Sequence, residues 1–182
     1  MKTTMDTIEY FFKDNEARFS KDTIRGYGIA LNQFFKFTNK EFDCIKRADV
    51  REWNASLDEE GLMPRTIRIK LSALRSFYKY LLEENLIKKN PTIGIGLPQL
   101  EDSLPKYLDK KQLAQLMELA KDDTRERTII EVLYNTGVRI SELLNIKKSD
   151  IKWDTRQIWI EKGKGNKERF VLFTPECSER LS

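Results

Sequence analysis

Between Asn135 and Ile151 the chain reads NTGVRISELLNIKKSDI, and across this stretch the spacing of the apolar residues changes. Upstream they recur every three or four positions, the period of a helix with one buried face. Downstream, in RQIWIE (156–161) and ERFVLF (168–173), they alternate as in a strand. The turn KGKGNK (162–167) joins these two runs into a β-hairpin, and isoleucine, tryptophan, phenylalanine and valine suit its strands. A lone hairpin has too little to pack on. In TPECSERLS (174–182), Pro175 and Ser178 read as the opening of a further helix, so Ser182 is expected to fall inside a domain.

Working back from Asn135, RERTIIEVLYN (125–135) is helical and Gly137 suits its C-terminal turn. Before it, Asp109 and Gln112 are spaced as a capping box for KKQLAQLMELAK (110–121). The stretch NPTIGIGLPQLEDSLPK (90–106) holds Pro91, Pro98 and Pro105 with two glycines and shows no period, as a linker does. The expected organisation is therefore a helical domain over 1–89, a linker over 90–105 and an incomplete α+β domain over 106–182.

Four helices account for the first domain. Ile8, Phe11 and Phe12 share a face of the first. Ser20 caps the second, which turns Ile24, Tyr27, Leu31 and Phe34 or Phe35 inward. Gly26 and Gly28 weaken that helix and leave room for another backbone. Asp49 and Glu52 are spaced to open the third, which buries Val50, Trp53 and Leu57 and stops at Gly61. Pro64 starts the fourth, PRTIRIKLSALRSFYKYLLEEN (64–85), whose Ile67, Leu71, Leu74, Tyr78 and Leu81 form a buried stripe. Arg65, Arg68, Ser72, Arg75 and Lys79 form a second stripe, open to two readings: a solvated helix surface or a row of phosphate contacts.

The chain has 182 residues, 40% hydrophobic and 34% charged, with a net charge of +4, which permits a nucleic-acid partner without requiring one. It contains no histidine, which excludes an imidazole base or a histidine metal site within these residues. No apolar window reaches membrane-spanning length and the N-terminus lacks a secretory core, so a cytoplasmic location without membrane contact is expected. Cys44 and Cys177 show neither metal nor redox spacing and read as unpaired thiols.

Two residues invite a chemical role. Arg139 opens a short helix whose Ile140, Leu143 and Leu144 are expected to face a core. Its guanidinium would then lie where unpaired backbone N–H groups favour an anion, and it could hold a phosphate bidentately. The competing reading is a simple i, i+3 ion pair with Glu142. Lys164, between Gly163 and Gly165 at the hairpin tip, is either free to reach a neighbouring site or a solubilising tip residue. No phosphate-binding P-loop is present, since G-x-x-x-x-G-K-[ST] does not occur.

The combination of NTGVRISELLNIKKSDI with GKGNKERFV (163–171) closely resembles the tyrosine recombinase or phage integrase family, most of all its Xer-type members. Upstream, TIRGYGIALNQF (23–34) and PRTIRIKLSALRSFYKYL (64–81) look like the family's helical core-binding domain. The resemblance implies a mainly α fold. A four-helix, SAM-like core-binding domain would be joined to an incomplete catalytic domain with a small antiparallel sheet. It implies that double-stranded DNA is bound, that one strand is cut through a 3′-phosphotyrosine link, and that strands are exchanged in a homotetramer without metal or cofactor. Arg139 matches the arginine that holds the scissile phosphate, Lys164 the hairpin lysine that protonates the leaving oxygen, and Glu142 a supporting acidic position. Lys21, Arg25, Arg65, Arg68, Arg75 and Lys79 become the expected DNA-binding residues. In the family a His-x-x-Arg motif and the nucleophilic tyrosine lie beyond the hairpin, whereas every tyrosine here, from Tyr10 to Tyr134, precedes Arg139. The chain alone is therefore expected to be inactive. The alternatives are a non-catalytic DNA-binding protein of integrase descent and, from another class, a helical transcription regulator, which leaves the paired motifs unexplained.

Overall fold

The computed structural model describes residues 3–100, 106–161 and 167–181. The chain divides into two compact units, Met1–Ser103 and Leu104–Ser182.

The first unit is built on four helices. Helix α1 (Thr4–Asp14) is opened by a reciprocal capping box between Thr3 and Asp6 and buries Ile8 and Phe11. Helix α2 (Lys21–Thr38) is capped by Ser20, whose hydroxyl accepts from the Thr23 N–H, and ends at Asn39 in the left-handed conformation. Helix α3 (Arg47–Glu59) begins two residues before Asp49. The Asp49 carboxylate lies inside the first turn and accepts the Lys46 N–H at 2.7 Å, so Asp49 is not the capping residue that its spacing from Glu52 predicted. Helix α4 (Pro64–Glu83) has proline at its first position and buries Ile67, Leu71, Leu74, Tyr78 and Leu81, the whole predicted stripe.

These helices converge on one core with Phe11, Phe34, Trp53 and Phe77 at its centre, where Phe34 and Trp53 meet edge to face at 5.0 Å. The buried Tyr78 hydroxyl donates to the Phe42 carbonyl at 3.0 Å, so the polar tip of an otherwise apolar residue is satisfied. Neither glycine of α2 marks a close backbone approach: a Cβ at Gly28 would stand 3.7 Å from the Phe12 ring, and one at Gly26 would meet nothing within 4 Å.

Part of the stretch expected to be a linker packs on this unit. Thr92 and Ile95 are buried, Ile95 within the helical core. Asn90 accepts from both the backbone N–H and the hydroxyl of Thr92, at 2.8 and 2.7 Å.

The second unit starts with α5 (Lys110–Leu119), opened by the predicted Asp109 and Gln112 capping box, with no buried residue along its length. Helix α6 (Thr124–Thr136) is capped by Asp123 and ends at Gly137, whose φ of +64° is the left-handed conformation glycine adopts most readily. A single turn, α7 (Ile140–Leu143), and a 3-10 turn (Lys148–Asp150) lead into the sheet. Strands β1 (Ile151–Lys152), β2 (Gln157–Ile160) and β3 (Arg169–Leu172) are antiparallel in the order β1-β2-β3, with Ile158 opposite Val171 and Ile160 opposite Arg169. The sheet therefore gains a third strand beyond the predicted hairpin. Helix α6 packs on β3 and helix α8 (Pro175–Leu181) packs on α6, and Val132, Val138, Ile158, Ile160, Val171, Phe173 and Cys177 form the core. Cys44 and Cys177 are free thiols. Among the described residues no helix is long and apolar enough to cross a membrane.

Candidate nucleic-acid interface

Arg139 is the capping residue of α7, and the structure joins its two competing readings in one arrangement. Its backbone N–H donates to Glu142 Oε2 at 2.8 Å, and its Nη1 donates to Glu142 Oε1 at 2.9 Å. The i, i+3 pair is thus real. It occupies only one edge of the guanidinium, and the Arg139 side chain remains 54% exposed, with four of its five N–H donors free of any partner among the described residues. The helix end itself adds little, because α7 is one turn long and the N–H of its capping residue is already taken by Glu142.

Glu142 is the inward-facing residue of this turn. Its side chain is 3% exposed, whereas Ile140 is 56% and Leu144 71% exposed, so the expectation that both apolar residues face a core is corrected. Leu143 alone of the three packs against it. One turn offers a single inward position facing β3, and there a charged pair occupies it. Arg169, on β3, donates from Nη1 to Glu142 Oε1 at 3.0 Å and from Nη2 to Oε2 at 2.7 Å. Sequence reasoning missed Arg169. The available signal was its place on the inward side of a strand with Val171 and Phe173, where an arginine requires a buried acid.

The carboxyl of Glu142 is held down to about 2, first by the Arg169 guanidinium, next by the Arg139 N–H, and then by the Arg139 side chain, against an opposing effect of burial. It stays ionised at any physiological pH, and the three side chains together carry one net positive charge. A groove of about 220 Å³ beside Glu142 is lined also by Lys147, Asp150 and Glu161. Among the described residues no group of three or more Cys, Asp or Glu side chains is placed to hold a metal ion. Lys164 lies outside the described residues.

In the first unit the basic stripe of α4 divides. Arg75 donates from Nη2 to the Ile95 carbonyl, and Arg68 from Nη1 to the Pro98 carbonyl at 3.4 Å, so both half-buried arginines fasten the 90–98 segment while keeping their charge. Lys79 pairs with Glu83 at 3.6 Å, and Arg25 pairs with Asp22 at 3.2 Å, both on open surface. Lys21 and Arg65 are exposed with no ion-pair partner among the described residues.

Comparisons with known proteins place both units in one family. The phage integrase family matches residues 106–182, and the N-terminal SAM-like domain of phage integrases matches residues 9–85. Tyrosine recombinase XerC of Bacillus licheniformis is 38% identical, the match covering 96% of this chain and 59% of that protein. XerC of Staphylococcus aureus is 35% identical over 91% of this chain and 58% of its own length. The fold is shared with the Tn1549 transposon integrase in complex with a circular intermediate DNA, with a TM-score of 0.73 and 20% identity over 98% of this chain and 64% of that one. It is shared as well with a lambda integrase tetramer bound to a Holliday junction, with a TM-score of 0.76 and 16% identity over 96% of this chain and 51% of that one. The chain thus spans about three-fifths of the length of these curated relatives. With a SAM-like helical unit, a unit of helices and a three-stranded sheet, and relatives aligned along nearly all of it, this chain belongs to the phage integrase family.

Proposed function

We propose that this chain is the DNA-clamping portion of a site-specific tyrosine recombinase, with residues 1–89 as a core-binding domain and residues 106–182 as the front of a catalytic domain. The observation that carries the reading is the Arg139 cluster: a charge-locked guanidinium held at one edge by a buried carboxylate, with its remaining donors exposed. Such a group binds a phosphodiester and stabilises charge that builds on its oxygens during strand cleavage. Lys164 takes the role of general acid toward the leaving oxygen, and Glu142 supports Arg139. Lys21, Arg25, Arg65, Arg68, Arg75 and Lys79 supply backbone contacts to duplex DNA. Tetramer assembly on DNA belongs to the whole protein, as in the lambda integrase tetramer bound to a Holliday junction.

Because no tyrosine follows Arg139, the 182-residue chain binds duplex DNA without cutting it. The test titrates the chain with duplex DNA over a salt series and probes the mixture for a nick and a covalent adduct. The expected result is binding that weakens steeply with salt, as counterions are released, and no adduct. Salt-independent binding would remove the phosphate-contact reading, and an adduct would remove the assignment of this chain as inactive. In a protein carrying this sequence at the full length of its relatives, Arg139→Ala should slow cleavage roughly a hundred- to a thousandfold, well beyond its roughly tenfold effect on DNA binding.

A further inference from the structure

Glu142 accepts four hydrogen bonds, which is about all a carboxylate can take, and they are unequally shared. Arg169 spends two parallel donors on it, in the fork-to-fork geometry that gives the strongest ion pairs. Arg139 spends one side-chain donor and its backbone N–H. The exposures follow the same division, 35% for the Arg169 side chain against 54% for Arg139. One arginine is committed to the carboxylate and the other is left open.

We propose that Arg169 is a positioning residue which, by saturating Glu142 from β3, keeps the Arg139 guanidinium from closing onto that carboxylate and so leaves it free to hold a phosphate. The inference rests on the reading of Arg139 as the phosphate clamp. Without Arg169, a buried carboxylate loses two of its four donors, and the nearest cation is Arg139, already 2.9 Å away. Arg139 then turns to satisfy both oxygens, the local charge falls from +1 to zero, and the clamp is occupied from within. The pairing also ties α7 to β3, so the strand that leads out of the hairpin sets the direction of the α7 arginine.

The experiment uses the full 182-residue chain, a random-sequence DNA duplex as probe, and fluorescence anisotropy across a salt series, with folding of each variant checked by circular dichroism. Arg139→Ala is expected to weaken low-salt binding roughly tenfold and to reduce the salt slope by about one. Arg169→Met should match it, although Arg169 touches no phosphate. Arg169→Lys, which keeps the charge but cannot fill both oxygens, should fall between. The double variant Arg169→Met with Glu142→Gln should recover the lost affinity, because the carboxylate that captures Arg139 is gone. A loss that persists in the double variant would mean that Arg169 contacts DNA or merely supports the fold, and would overturn the proposal. Wild-type binding by Arg169→Met, alongside a defective Arg139→Ala, would also overturn it while leaving the clamp reading intact. If Arg139→Ala binds like the wild type, the clamp reading itself fails and the positioning role with it.

Discussion

At the scale of the residue, the energetics of the site turn on Glu142. Its carboxyl titrates at about 2 in the folded chain against an ordinary value of 4.5, the Arg169 guanidinium being the first cause. A depressed carboxylate makes the unfolded state the better proton binder. Its contribution to stability is therefore complete above 4.5 and is lost as pH falls through about 2. Urea denaturation of the wild type and of Glu142→Gln, followed by loss of the second unit's structure, should show a gap at neutral pH that narrows over this acid range. A gap that does not change with pH would mean that the glutamate is held by packing and not by charge. The i, i+3 spacing made the Arg139 and Glu142 pair legible in the sequence. The third member was not legible, because Arg169 reaches Glu142 only through the way β3 lies beside α7, and one-dimensional spacing carries no such information.

At the scale of the element, the long helices could be read because they repeat their period several times. Helix α4 repeats its period over five turns, and all five residues of the predicted stripe are buried, with Ala73 and Phe77 buried beside them. Helix α7 has one turn and β1 two residues, too few for a period to emerge, which is why Ile140 and Leu144 were misassigned inward and β1 was missed. The other face of α4 carries a function that charge alone did not reveal, since Arg75 and Arg68 hold the backbone of the 90–98 segment. Arg75→Ala should loosen that segment by about 1–2 kcal/mol, seen as faster amide exchange at Ile95 with little change within α4 itself. Equal protection in the variant would show that burial of Ile95 and Thr92 is sufficient to hold it. Helix α5 lacks any buried residue, so its capping box matters more than usual. Asp109→Ala should cost that helix about 1 kcal/mol and raise exchange in its first two turns.

At the scale of the whole molecule, the two units differ in what they bury. The first closes Phe11, Phe34, Trp53, Phe77 and Tyr78 into a single core, with Tyr78 and Phe77 fully enclosed. In the second, Phe173 is the one aromatic ring among the described buried residues, while Leu119, Leu144, Phe170 and Leu172 remain exposed. Burial of large apolar side chains is the main favourable term in folding, so the helical unit should be the more stable of the two. The size of each core became visible only with the packing. Hydrogen exchange in rising urea should open the amides of β2 and β3 at lower denaturant than those of α4, and heating should resolve two calorimetric transitions instead of one. On the proposed reading of Arg139 as a phosphate clamp, a duplex bound there stabilises the state that presents it, so added duplex should raise the lower transition, and this shift should shrink with salt. A single transition with coincident exchange in both units would show that they fold as one cooperative body, and the weaker unit would then owe its stability to the stronger.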